Sequence, residues 1–234
     1  MTLYETLRTD LLKGEFKAGS RLRMESLKSR YGSGVNVLRE SLTRLASDGL
    51  VVAEGQKGFH VASFSVKKME ELTKLRILLE SDGARQSFAA GDMEWESNLV
   101  AAHHKLQHVE SKMQNSIEDN FVMWHRCDYE FHAALIGACH SELHMHYHRQ
   151  LYDQFRQFVM MELRTSGFRG KHIVDEHALI LDAALNRDID ACIHALESHL
   201  GCVCRTRESN KHRKITNSKT RSLFSRVKTR AFTQ

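Results

Sequence analysis

The chain is predicted to be mainly α-helical, with an N-terminal winged helix-turn-helix (helices plus a two-stranded hairpin) followed by an all-helical bundle of about six helices. Three observations carry this expectation. Leucines recur at helical spacing through the first forty-five residues. Two short β-prone runs then flank a glycine-rich tip. From Ser65 onward no strand signal remains, only long amphipathic patterns. Proline is absent, so turns must rest on Gly, Asn, Asp and Ser.

Taken in order, Leu3, Leu7 and Leu11 imply a first helix that stops near Gly14, where GEFKAGSRL supplies breakers. A second, short helix covers Met24 to Tyr31. After Gly32-Ser33-Gly34, Leu38, Leu42 and Leu45 fall at i, i+4 and i+7 and form one buried stripe. Asn36, Arg39, Glu40, Thr43 and Ser47 share the opposite, wet face. Leu50 to Ala53 and Phe59 to Ala62 read as the two strands, with Glu54-Gly55-Gln56-Lys57-Gly58 as the tip between them. In such an arrangement the third helix can enter a major groove while the wing approaches the backbone. A small α+β domain with no DNA role fits the same pattern.

The bundle helices are read at about 65–89, 92–114, 117–138, 140–166, 171–186 and 188–206. The predicted domains are therefore 1–64, 65–206 and a tail at 207–234. Charge follows the same division. Residues 1–65 hold ten Lys and Arg against seven Asp and Glu (+3), 66–204 hold 14 against 21 (−7), and 205–234 hold ten against one (+9). An acidic middle between basic ends places phosphate-seeking surface at the ends. The tail, rich in Ser, Thr and Asn with little apolar periodicity, is expected to be disordered. Extra salt-sensitive phosphate contacts and a mere solvated extension are equally good readings of it.

With 234 residues, 41% of them hydrophobic, the chain can build two ordinary cores. No run approaches the roughly 18 apolar residues of a membrane span, and MTLYETLRTDLL lacks the charged-then-apolar order of a signal peptide. A soluble, cytoplasmic protein is expected. Five cysteines (Cys127, Cys139, Cys192, Cys202, Cys204), odd in number and without a C-x-x-C pair, fit reduced thiols.

The helical middle carries buried chemistry. In the third bundle helix Asp128 and His132, four apart, lie in the apolar stripe of Phe121, Trp124, Phe131 and Leu135. His177 shares a face with Ile173, Ile180, Leu181 and Ala184; His199 shares one with Cys192, Leu196 and Val203. A lone histidine on such a face is usually a core residue with a hydrogen-bonded neighbour. A carboxylate and three histidines aimed inward from three helices are different, because a divalent cation satisfies all four. The donor set suits zinc, nickel or another first-row metal. Arg76 falls in the inner stripe of Met69, Leu72, Leu79 and Gly83, where a buried guanidinium wants an anion. A bound carboxylate and an ion pair with Glu80 serve it equally well. His103, His104, His108, His140, His144, His146 and His148 have no motif and are read as a solvated helix face.

Residues LRTDLLKGEFKAGSRLRMESLKSRYGSGVNVLRESLTRLASDGLVVAEGQKGFHVA resemble the GntR-type DNA-binding domain along their whole length. Most specific are LLKGEFKAGSRL, VLRESLTRLASDGLV and KGFHVA. The chain departs from the family at Gly34-Val35-Asn36-Val37, where relatives carry Ser-Arg-Thr-Pro, so a DNA-contacting arginine is replaced by Val35. Arg39 matches the motif's second arginine, and Lys57 and Gly58 occupy the wing tip. The segments LTKLRILLESDGARQSFAAGD, DYEFHAALIGACHSELHMHYHRQL and DEHALILDAALNRDIDACIHALESHL resemble the FCD domain of the FadR branch. The resemblance implies a metal held by Asp128, His132, His177 and His199, with Arg76 at the position of the family's first-helix arginine, facing a small organic acid. It also implies a homodimeric repressor reading an operator through Asn36, Arg39, Thr43, Lys57 and Gly58. A metal-dependent hydrolase and a regulator that has lost its response are the competing readings.

Overall fold

The computed structural model describes residues 2–201, so the predicted tail at 207–234, Cys202 and Cys204 lie outside the described residues. The N-terminal unit runs α1 (Leu3–Leu12), β1 (Arg21–Leu22), α2 (Met24–Tyr31), α3 (Val35–Ser47), β2 (Val51–Glu54) and β3 (Gly58–Val61). The strands form one antiparallel sheet in the order β1-β3-β2. The hairpin is as expected, with Val51 opposite Val61 and Glu54 opposite Gly58. The sheet has a third strand that the sequence reading did not include. Arg21 and Leu22 pair only with His60 and Phe59, a run too short to show a period of two.

The leucine stripe does the expected work, since Leu7, Leu11, Leu27, Leu38, Leu42, Leu45 and Leu50 form one buried cluster. The turn between α2 and α3 needs its glycine, because Gly32 closes α2 in the left-handed region at φ 63°. At the wing tip Gly58 sits at φ 85°, ψ −143°, a conformation open essentially to glycine alone.

The bundle consists of α4 (Val66–Ala90), α5 (Met93–Met113), α6 (Ile117–Leu135), α7 (Glu142–Ser166), α8 (Lys171–Leu185) and α9, which covers 189–201 of the described residues. In a chain without proline, side-chain caps set the starts. Ser65, Asp92, Ser116 and Ser141 each accept a backbone N–H from the first turn of α4, α5, α6 and α7. Each such cap contributes about 1 kcal/mol. α6 ends earlier than expected, giving way to a 3₁₀ turn at Gly137–Cys139 and to His140 at φ 52°. A second core, separate from the first, gathers Leu99, Leu106, Phe121, Trp124, Phe131, Leu135, Phe158, Ile180 and Leu196.

The two cores are joined by an ion pair and by hydrogen bonds. Arg8 on α1 places Nε on Asp153 Oδ2 at 2.7 Å and Nη2 on the other oxygen, and both side chains are largely buried. Arg164 Nη1 donates to the Gly14 carbonyl at 3.2 Å. Among the described residues no helix is long and apolar enough to cross a membrane, and Cys127, Cys139 and Cys192 are free and buried.

Candidate metal and effector centre

All four predicted metal residues meet in the bundle core. Asp128 and His132 come from α6, His177 from α8 and His199 from α9, and all four are buried. One ring nitrogen from each of His132, His177 and His199 lies within 4.8 Å of the others, and Asp128 Oδ1 is 3.6 Å from His177 Nε2. Four residues separate Asp128 from His132, so one turn of α6 aims both at the same point.

Each imidazole is held from behind by a glutamate. His132 Nδ1 lies 2.7 Å from Glu80 Oε2, His177 Nδ1 lies 2.8 Å from Glu110 Oε1, and His199 Nδ1 lies 3.0 Å from Glu176 Oε2. A carboxylate on Nδ1 fixes that nitrogen as the donor and turns the Nε2 lone pair inward, the arrangement metal-ligating histidines use. His132 Nε2, His177 Nε2 and Asp128 Oδ1 are buried without a hydrogen-bond partner among the described residues. Such atoms are costly to bury unpaired, and a cation satisfies all three together. The three histidines therefore form a cluster with the chemistry of a metal site.

Electrostatics around the cluster favours ionised carboxylates and a neutral His199. Burial pushes Asp128 up, but Arg156 and the facing histidines outweigh it and hold the carboxyl far below its ordinary range. Glu80 is likewise pulled down against its burial by Arg76, His132 and His148. Glu176 is brought to about 2 by His199 and Arg169, again against burial. Burial and the neighbouring His177 lower His199 to about 3.

Several functional side chains escaped the sequence reading. Glu110 sits in the stripe with Leu106 and Met113, and Glu176 in the stripe with Ile173 and Ile180, so the test applied to Arg76 points to both. Tyr152 on α7 donates its single hydroxyl proton to Asp128 Oδ2 at 2.6 Å, with the His125 carbonyl 2.9 Å from the same oxygen. Arg156, one turn on, reaches the same carboxylate oxygen with Nη1 at 3.3 Å. The predicted solvated histidine face needs correcting at three positions. His148 is fully buried, 3.2 Å from Glu80; His103 is buried beside Phe131; and half-buried His144 contacts the Leu79 carbonyl at 2.8 Å. They belong to the inner faces of α5 and α7. His104, His108, His140 and His146 are exposed.

Of the two partners considered for Arg76, Glu80 is present. Arg76 places Nε and Nη2 on Glu80 Oε1 at 2.9 and 2.6 Å. It also lines a cavity of about 60 Å³ whose wall includes Asp128, Arg156 and His199. In the N-terminal unit Asn36, Arg39 and Thr43 are exposed along α3, Lys57 is exposed at the wing tip and Gly58 is half-buried there.

A winged helix with an exposed third helix, coupled to a helical bundle that encloses a histidine cluster and cavity, defines the class as a DNA-binding regulator. Residues 1–61 match the model for bacterial regulatory proteins of the gntR family, and residues 71–201 match the FCD domain. The uncharacterized HTH-type transcriptional regulator BphR of Paraburkholderia xenovorans LB400 is 34% identical over 84% of this chain and 80% of its own length. The HTH-type transcriptional repressor GlaR of Escherichia coli K12 is 30% identical over 84% of this chain and 90% of its own. The solved structure of E. coli McbR/YncC shares the fold, with a TM-score of 0.71 at 18% identity over 91% of this chain and 96% of that one. The chain belongs to the GntR family, in the FadR-like branch whose C-terminal half is an FCD domain. These homologues are transcriptional regulators, not enzymes.

Proposed function

We propose that this regulator is a homodimeric repressor whose operator affinity is set by a small carboxylate bound beside a divalent metal, zinc or nickel, held by Asp128, His132, His177 and His199. The observation that carries the reading is the set of inward, unpartnered donors on Asp128, His132 and His177, with every imidazole oriented from behind by a glutamate. A protein that had lost its metal would have no use for that cost. The same set weighs against the reading of a regulator without a response. Arg76 serves the site from the cavity wall and, through Glu80, steadies His132. Repression is favoured by the likeness to GlaR, which is described as a repressor.

On the DNA side, Asn36, Arg39 and Thr43 are the side chains α3 offers to a major groove, and Lys57 with Gly58 brings the wing to the phosphates. Coupling has a physical route. α7 carries Tyr152, bonded to Asp128, and next to it Asp153, bonded to Arg8 of α1. Any movement of α7 that follows effector binding is felt by the winged helix. For that to change affinity, the effector must bind one arrangement better than the other.

The test is elemental analysis of the purified protein, joined to a thermal-shift screen of small mono- and dicarboxylates with and without chelator. One metal per chain and a chelator-sensitive shift are expected. Asp128→Ala and His177→Ala should lose both while still binding DNA. Metal content unchanged in both variants would overturn the ligand assignment.

A further inference from the structure

We propose that the Nε–Nη2 edge of Arg156 is the receptor for the effector's carboxylate. The inference rests on reading the cavity beside the histidine cluster as the effector site. Arg156 is 3% exposed, and its guanidinium lies over the Trp124 ring, 3.9 Å from the centroid. Nη1 reaches Asp128 Oδ2 at 3.3 Å, whereas Nε and Nη2 are buried with no hydrogen-bond partner among the described residues.

Those two N–H groups point the same way and form the fork that matches the two oxygens of a carboxylate. Two other arginines of this chain show what the fork does when an acid is available. Arg8 sets Nε and Nη2 on Asp153, and Arg76 sets Nε and Nη2 on Glu80. In Arg156 the corresponding edge is free, and Asp128 takes only Nη1. A guanidinium stays charged even when buried, so it cannot relieve the missing partner by losing its proton.

The cavity supplies the rest of the recognition. Arg156, Asp128 and His199, with Arg76 and Arg169, are its charged and polar lining, and Trp124, Phe155, Val159, Phe168 and Ile173 are apolar lining. At about 60 Å³ it is well below the roughly 150 Å³ that admits benzene, so its occupant is an acid of few heavy atoms. Because Asp128 touches both Arg156 and His177, an acid in the fork also lies beside the histidine cluster. Arg76 cannot take this part while its own fork holds Glu80.

The experiment uses acetate, the carboxylate group with a single methyl, titrated up to about 100 mM against the full chain with sodium chloride as the ionic-strength control. Metal-loaded and chelator-stripped protein are compared as wild type, Arg156→Lys and Arg156→Met, with melting temperature as the response. Wild type should show a saturable rise. Both variants should need about 10- to 100-fold more acetate, including Arg156→Lys, which keeps the charge and loses the fork. Circular dichroism and metal content of Arg156→Lys show whether the fold and the cluster remain; if Arg156→Met does not fold, the lysine variant decides. Variants that titrate like wild type, or a wild type that ignores acetate in both forms, overturn the proposal. A wild type that binds no metal defeats the metal reading instead, and the stripped-protein titrations still decide the role of Arg156.

Discussion

Replacing Tyr152 by Phe removes one hydroxyl and nothing else from the core. In the native protein that hydroxyl donates to Asp128 Oδ2 at 2.6 Å and leaves Oδ1 unpartnered, facing His177 Nε2 at 3.6 Å. Without it, Oδ2 keeps only Arg156 Nη1 at 3.3 Å, a longer contact from a side chain also stacked on Trp124. A hydrogen bond to a buried charged acceptor contributes about 1.5–3 kcal/mol, so the metal-free variant should be about 2 kcal/mol less stable. For a chain of this size that lowers the melting temperature by about 4–8 °C. Groups that orient metal ligands typically change metal affinity by about 10- to 100-fold. Chelator competition should show a loss in that range, and operator affinity without effector should stay as in wild type. Metal affinity within about twofold of wild type, with an unchanged melting temperature, would mean that Tyr152 does not orient a ligand and that Asp128 lies outside the coordination set.

Arg8→Met leaves Asp153 with Arg149 at 3.6 Å and His125 at 3.9 Å but cuts its tie to α1. The effector-induced change in operator affinity, typically about 5- to 150-fold, should shrink toward the bottom of that range while metal content stays the same; a wild-type response measured by fluorescence anisotropy would rule out this route. Arg39→Ala should weaken operator binding by about 1–3 kcal/mol without altering metal content, and equal affinity would remove Arg39 from the DNA surface. Stability should fall with acidification. Burial keeps His125, His148 and His199 below the ordinary histidine range, His199 at about 3, so the folded protein holds them neutral while the unfolded chain protonates near pH 6.5. Their contribution is complete above about pH 6.5 and is lost below it, at up to about 1.4 kcal/mol per pH unit for each fully buried group. Urea midpoints of metal-free protein at pH 7.5 and pH 5 that coincide would contradict this.

What the sequence determined by itself was the inward face of each element. A period of 3.6 residues places Leu38, Leu42 and Leu45 under α3, leaves Asn36, Arg39 and Thr43 wet, and turns Asp128, His132, His177 and His199 into the bundle. Serine and aspartate caps mark the helix starts for the same local reason. Only the tertiary structure decided what stands opposite each buried group. Glu110 meets His177 across 67 residues and Glu80 meets His132 across 52, separations that no helical period relates. The same limit hid β1, whose two residues acquire meaning only from β3, and the burial of His148, which depends on Glu80 lying across from α7. It also hid the difference between Arg76 and Arg156. Both lie in apolar stripes with the same chemistry, and only packing shows that Glu80 fills the fork of one while the fork of the other is open.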